Sequence, residues 1–263
     1  MDSGKMVEYR VENGVALLEI NRPPVNSYTH ELLRELDEAL LLARFDEDVH
    51  VLVLTGKGEK FFSAGADINM LAKKSLAYKY NFALHGHEVL QRMENSQKPI
   101  IAAINGHAVG GGLEIAMSTD IRIAKKEGGR LGLAEINLGV MPGMGGTQRL
   151  PRLVGKAKAL ELCMTGKTIA FEEGLEMGLV HYIYERENFM QNVLDYARQF
   201  VPPNKASLAV GKVKRAIQTG LEMSLSDGLT LEREVLYQTF ASEDGTEGVK
   251  AYLEKRTAQF KGK

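Results

Sequence analysis

The sequence holds a single cysteine, Cys163, so no internal disulfide can form and a reducing compartment fits best. Cys163 lies in the mostly apolar run Leu160 to Met164, which favours a buried core residue over a catalytic thiol. No apolar stretch approaches the ~20 residues needed to cross a bilayer. Residues Met1 to Met6 carry neither a signal-peptide apolar core nor an Arg-rich presequence. The expected location is the cytoplasm, and a processed organellar protein would read the same way. Neither sign of charge is in excess: 33 Lys and Arg stand against 34 Asp and Glu, a net charge of −1. That balance argues against a global basic field for nucleic acid and against an acidic, disordered chain. The sequence has no Gly-x-Ser-x-Gly elbow for a serine hydrolase, no low-complexity segment and no close repeat. Its 263 residues suffice for one large domain, or for one domain with an appendage.

What is present alternates between strand and helix patterns. Val15–Ile20 reads as the first strand, closed by Asn21-Arg22-Pro23-Pro24, because prolines cannot continue a central strand. Leu32, Leu33, Leu36, Leu40 and Ala43 recur at helical spacing from about His30. Val51–Thr55 and Ile100–Ile104 are continuous apolar runs of the buried-strand kind. A loop is expected over 56–66, and an amphipathic helix from about Ser75 to Asn95. A short helix over Leu113–Met117, a strand over Asp120–Ala124 and a last strand over Leu179–Tyr184 follow, then successive helices. The class is α/β with a helical C-terminal region.

Two glutamates stand beside glycine-rich turns. Glu114 follows Gly110-Gly111-Gly112, and Glu135 precedes Gly139 to Gly146. Two carboxyl groups facing one pocket can serve as base and acid in a proton-exchanging reaction. Glycines open backbone N–H groups to a reacting oxygen, and Ser63 to Asp67 could supply a second such donor. The bland readings remain open at this point: a tight turn for the glycines, a solvated or capping role for each acid. Apolar neighbours around Glu114 weigh against solvation, since a buried carboxylate needs a partner or a function. His85 and His87 are two apart and would point in different directions on a helix, so a metal site there is not expected. The run Gly139 to Gly146 holds a proline and lacks the setting of a dinucleotide loop.

Taken together, the order of several marks resembles the enoyl-CoA hydratase/isomerase (crotonase) family across almost all of the chain. The marks are Asn21-Arg22-Pro23, Phe61 to Ile68, Pro99 to Gly106, Gly110 to Glu114, Pro142 to Leu150, Ser242 to Gly248 and Glu254-Lys255-Arg256. The resemblance implies a crotonase-like spiral of ββα units over residues 1–195 and a C-terminal helical trimerisation region over 196–263. It implies an oxyanion hole from the N–H groups of Ala66 and Gly111, and a water placed with help from Gly143. Pro24, Val25, Ala64, Asp67 and Ile68 would border the CoA moiety. Retention of both acids favours hydration of a trans-2-enoyl-CoA to a 3-hydroxyacyl-CoA, with Glu114 as base and Glu135 as acid. No metal or separate cofactor is implied, because coenzyme A belongs to the substrate. Ala134 stands where that pattern usually has proline, and the Arg22–Ser27 loop is shorter than usual.

The alternatives are an enoyl-CoA isomerase or a dehydratase of a branched or cyclic acyl-CoA. An RNA-binding member of the fold is the reading from another class. It would use the Lys205 to Arg215 stretch, with Lys212 and Lys214, against which the charge balance argues. A homotrimer or dimer of trimers is expected, with Leu229, Leu231, Val235, Tyr252 and Phe260 as candidates for burial between subunits.

Overall fold

The computed structural model describes residues 4–263. Among the described residues ten strands make two sheets. They are β1 (Val7–Glu12), β2 (Val15–Ile20), β3 (Val51–Gly56), β4 (Phe61–Ser63), β5 (Ile100–Ile104), β6 (His107–Val109), β7 (Ile121–Lys125), β8 (Arg130–Gly132), β9 (Ile169–Ala170) and β10 (Tyr182–Tyr184). The larger sheet runs β1-β2-β3-β5-β7-β10, antiparallel at β1/β2 and parallel elsewhere. The smaller runs β4-β6-β8-β9, parallel except at β8/β9.

Successive strands alternate between the sheets. Each of β3, β5 and β7 lies in the larger sheet, and the strand after it, β4, β6 or β8, lies in the smaller. A helix then returns the chain, so the ββα unit repeats. The central strands β3 and β5 are buried on both faces, which is why Val51–Leu54 and Ile100–Ile104 are apolar throughout. The first unit differs. After β2 the chain makes only an isolated parallel bridge, Tyr28 to Ala66, before helix α1 (His30–Phe45). Thr29 caps α1, its side chain accepting from the Leu32 N–H. Leu32, Leu33, Leu36, Leu40 and Ala43 are all buried on its inner face.

Three expectations change. The first strand is β1 rather than β2, joined to it through Asn13-Gly14, both at positive φ (49° and 78°). The expected loop over 56–66 contains β4, whose three residues are too few for any periodicity to show. Val235 is 5% exposed and buried within its own chain, so it is not free for a subunit contact. The long helix is Leu76–Glu94, capped by Ser75. The last helices are Ser207–Gly220, Leu225–Phe240 and Glu243–Glu254. Lys214 lies on the first of these, but not on a solvated face. Its ammonium donates to Asp120 at 2.8 Å and to the Met93 carbonyl at 3.0 Å, in a largely buried pair.

Candidate active site

The residues singled out by sequence converge at the carboxyl ends of the small sheet's parallel strands. Ala66 follows β4, Gly110 and Gly111 follow β6, and Glu135 follows β8. The Gly110 N–H donates to the Gly132 carbonyl at 2.8 Å, which joins the ends of β6 and β8. Helix α2 (Ile68–Ala72) leaves the first of these ends, followed by α3 (Leu76–Glu94); α4 (Gly111–Met117) leaves the second.

Each glycine of the triplet has its own reason. Gly110 has φ +57°, and a side chain there would meet Glu135 Oε1 at 2.9 Å from its Cβ. A Cβ on Gly111 would lie 1.9 Å from the Tyr28 phenol oxygen, and one on Gly112 would lie 2.1 Å from the Ser63 carbonyl. Gly111→Ala therefore forces a methyl group into a buried ring. We expect a cost of about 1–3 kcal/mol by analogy with other overpacked cores, read as a lowered midpoint in urea unfolding.

The N–H groups of Ala66 and Gly111 donate no hydrogen bond among the described residues. Gly111 is the first residue of α4, where the N–H has no partner within the helix. Pairing of Tyr28 alongside Ala66 uses the neighbours instead: the Tyr28 N–H donates to Gly65 O (2.9 Å) and the Asp67 N–H to Tyr28 O (3.0 Å). Gly65 brings the two segments together, since a Cβ there would meet the Gly111 nitrogen at 3.0 Å.

Glu114 is 1% exposed. Its Oε1 accepts from the N–H groups of Met144 (2.8 Å) and Gly146 (2.7 Å). Burial pushes its carboxyl up to about 7; the two backbone donors and Arg149 oppose that rise, and the charge of Glu135 adds to it. Burial also raises Glu135, whose Oε2 is enclosed without a hydrogen-bond partner. The charge of Glu135 therefore reaches Glu114, and Gly110 lies beside the Glu135 carboxyl. Gly143 is exposed and immediately precedes Met144 in the loop that wraps Glu114. Helix α5 (Gly146–Val154) anchors that loop: Arg149 donates to the Met144 carbonyl at 2.7 Å and to both oxygens of Glu94 at 2.6 and 2.7 Å. Neither Arg149 nor Glu94 was singled out by sequence, and no local pattern marks a pair 55 positions apart.

The Arg22–Ser27 loop is fastened to β4. Ser63 Oγ donates to the Asn26 carbonyl, the Asn26 amide to the carbonyls of Lys57 and Phe61, and the Ala64 N–H to the Val25 carbonyl. Pro24 is exposed beside it and Ala64 half-buried. Asp67 caps α2 by accepting from the Met70 N–H and pairs with Arg22 at 2.6 Å; both hold its carboxyl below the usual range. Ile68 is 52% exposed at the rim.

Tyr28 is another residue that sequence reasoning missed. It is 3% exposed, and the charges of both glutamates add to the burial that raises its phenol. Cys163 is partly rather than fully buried against the core; burial, then Glu135 and Glu114, push its thiol up, which disfavours a reactive thiolate. His85 packs against the His30 ring with centroids 5.0 Å apart. Among the described residues no group of three or more His, Cys, Asp or Glu side chains is placed to hold a metal ion.

Comparison with known proteins identifies the family and the fold. The family profile described as enoyl-CoA hydratase/isomerase matches residues 10–263. A short-chain-enoyl-CoA hydratase of Clostridium acetobutylicum is 40% identical over 246 residues, 93% of each chain. A crotonyl-CoA hydratase of Syntrophomonas wolfei is 38% identical over 250 residues, 95% of each chain. The crystal structure of an enoyl-CoA hydratase from Bacillus anthracis superposes with a TM-score of 0.93 at 35% identity, covering 98% of this chain and 100% of that one. The crotonase-like α/β fold expected from the sequence is therefore the fold observed, and the chain belongs to the enoyl-CoA hydratase/isomerase family.

Proposed function

We propose that the chain is an enoyl-CoA hydratase, a hydro-lyase that reversibly adds water to a trans-2-enoyl-CoA. The observation that carries this reading is a buried and a half-buried glutamate beside two unpaired backbone N–H groups. Those N–H groups, from Ala66 and Gly111, take the thioester carbonyl oxygen and stabilise it as negative charge develops. Glu114 is held by Oε1, which leaves Oε2 to take a proton from water adding to C3. A base near neutral pKa combines adequate ionisation with adequate basicity. Glu135, its Oε2 unpartnered, delivers the proton to C2. Gly143 helps position the water from the same loop as Met144.

Pro24, Val25, Ala64, Asp67 and Ile68 border the CoA moiety, and Arg22 holds the Asp67 side of that border. The reaction calls on no cofactor beyond the coenzyme A that the substrate carries. The exposed apolar side chains Leu221, Leu225, Tyr237, Phe240 and Tyr252 on the last helices support a trimer or dimer of trimers, with 196–263 as the contact region. No helix among the described residues is long and apolar enough to cross a membrane, and we place the protein in the cytoplasm.

The test is a product assay with 2-enoyl and 3-enoyl thioesters. Loss of crotonyl-CoA absorbance with formation of 3-hydroxybutyryl-CoA is expected. Shift of a 3-enoyl double bond without hydration would replace the reading by the isomerase one.

A further inference from the structure

We propose that the phenol O–H of Tyr28 is a third hydrogen-bond donor to the thioester carbonyl oxygen, beside the N–H groups of Ala66 and Gly111. The inference rests on the hydratase reading and deepens it.

Position comes first. The Cα–Cβ direction of a helical residue tilts toward the helix N-terminus, the way the free N–H groups of the first turn also point. Gly111 is the first residue of α4, and the Tyr28 oxygen lies 1.9 Å from where its Cβ would be. The phenol oxygen therefore sits beside the space in front of the Gly111 N–H. The backbone of Tyr28 meanwhile runs parallel to Ala66, so one residue touches both halves of the oxyanion hole.

The phenol is held there. Its ring stacks on Phe82 of α3 with centroids 5.8 Å apart, and Phe82 stacks on Tyr78 at 6.3 Å. Tyr28 cannot turn outward without breaking that row. Yet its oxygen makes no hydrogen bond among the described residues, although the residue is 3% exposed. The oxygen is not one of the fully enclosed unpartnered polar atoms, so it meets open space that an acceptor can enter. Substrate supplies the missing acceptor. Burial and the two nearby carboxyl groups keep the phenol protonated at working pH, so it is present as a donor. A donor that meets the oxygen more strongly as it becomes an enolate lowers the barrier rather than only tightening binding.

Tyr28→Phe keeps the ring and the stack and removes only the O–H. With crotonyl-CoA we expect kcat to fall roughly 10- to 100-fold with KM changed less than about threefold. A bound chromophoric enoyl thioester should also lose part of the spectral shift that a polarised carbonyl gives. This second readout is made on the folded variant, checked by its melting curve. Unchanged kcat and unchanged spectral shift in Tyr28→Phe would overturn the proposal. So would a variant series in which only Tyr28→Ala alters the rates, by changing the acyl chains accepted, since that outcome makes the ring a wall and the O–H idle. Failure of the parent chain to hydrate any 2-enoyl thioester strikes the hydratase reading instead.

Discussion

Glu114→Gln lowers kcat for crotonyl-CoA hydration by about 10²–10⁴-fold, and above neutral pH it makes the protein more stable. The activity loss follows from removing the proposed base, which takes the proton from water. The stability gain follows from the buried charge. Folding lifts the Glu114 carboxyl from 4.5 to about 7, so between these values the native chain binds more protons than the unfolded one. Stability therefore falls as pH rises through that window, and the whole penalty is present above it. It amounts to roughly 3 kcal/mol by linkage. Glutamine keeps the oxygen that accepts from Met144 and Gly146 and carries no charge. Parent and variant should melt together near pH 4.5 and diverge by pH 8, with the inactive variant melting higher. Equal melting across that range would mean that the carboxyl is not held against its charge.

Glu135→Gln also slows hydration, by about 10²–10⁴-fold, but it fails at a different atom. Its proposed task is delivery of a proton to C2, so the variant should lose exchange of the C2 hydrogen with deuterated solvent as well as hydration. Binding of a saturated acyl-CoA should be nearly unchanged, because the groups proposed to bind the carbonyl oxygen and CoA lie on other segments. The parent pH profile should be bell-shaped, needing one acid ionised and the other protonated. In Glu135→Gln the alkaline limb should flatten. Full retention of C2 exchange would remove Glu135 from the proton path.

Both acids and both glycine turns were visible in the sequence because their chemistry is local: a charged residue in an apolar run, next to backbone without side chains. The helix from His30 and the strands at Val51 and Ile100 were visible through periodicity and burial. The small sheet was mostly hidden. β4, β6 and β8 are three residues each, too short for a pattern, and their pairing depends on contacts about 45 and 23 positions away in sequence. Tyr28 was hidden for a related reason. Between Ser27 and Thr29 it reads as a turn residue, and only the bridge to Ala66 reveals that it occupies a strand position. The pairing of Lys214 was hidden as well, because a lysine-rich helix looks alike whether its inner face meets water or a largely buried Asp120.

The alternation of strands between sheets has a further consequence. In the proposed mechanism the two amide donors and the base lie on the excursions of the chain that end at Ala66 and Gly111, and the acid lies on the third, at Glu135. Each excursion is anchored by its own strand in the larger sheet. A change confined to the third can redirect the fate of an activated thioester while the apparatus that activates it stays in place. Such an arrangement lets new chemistry be tried one loop at a time, on a scaffold whose core need not be rebuilt.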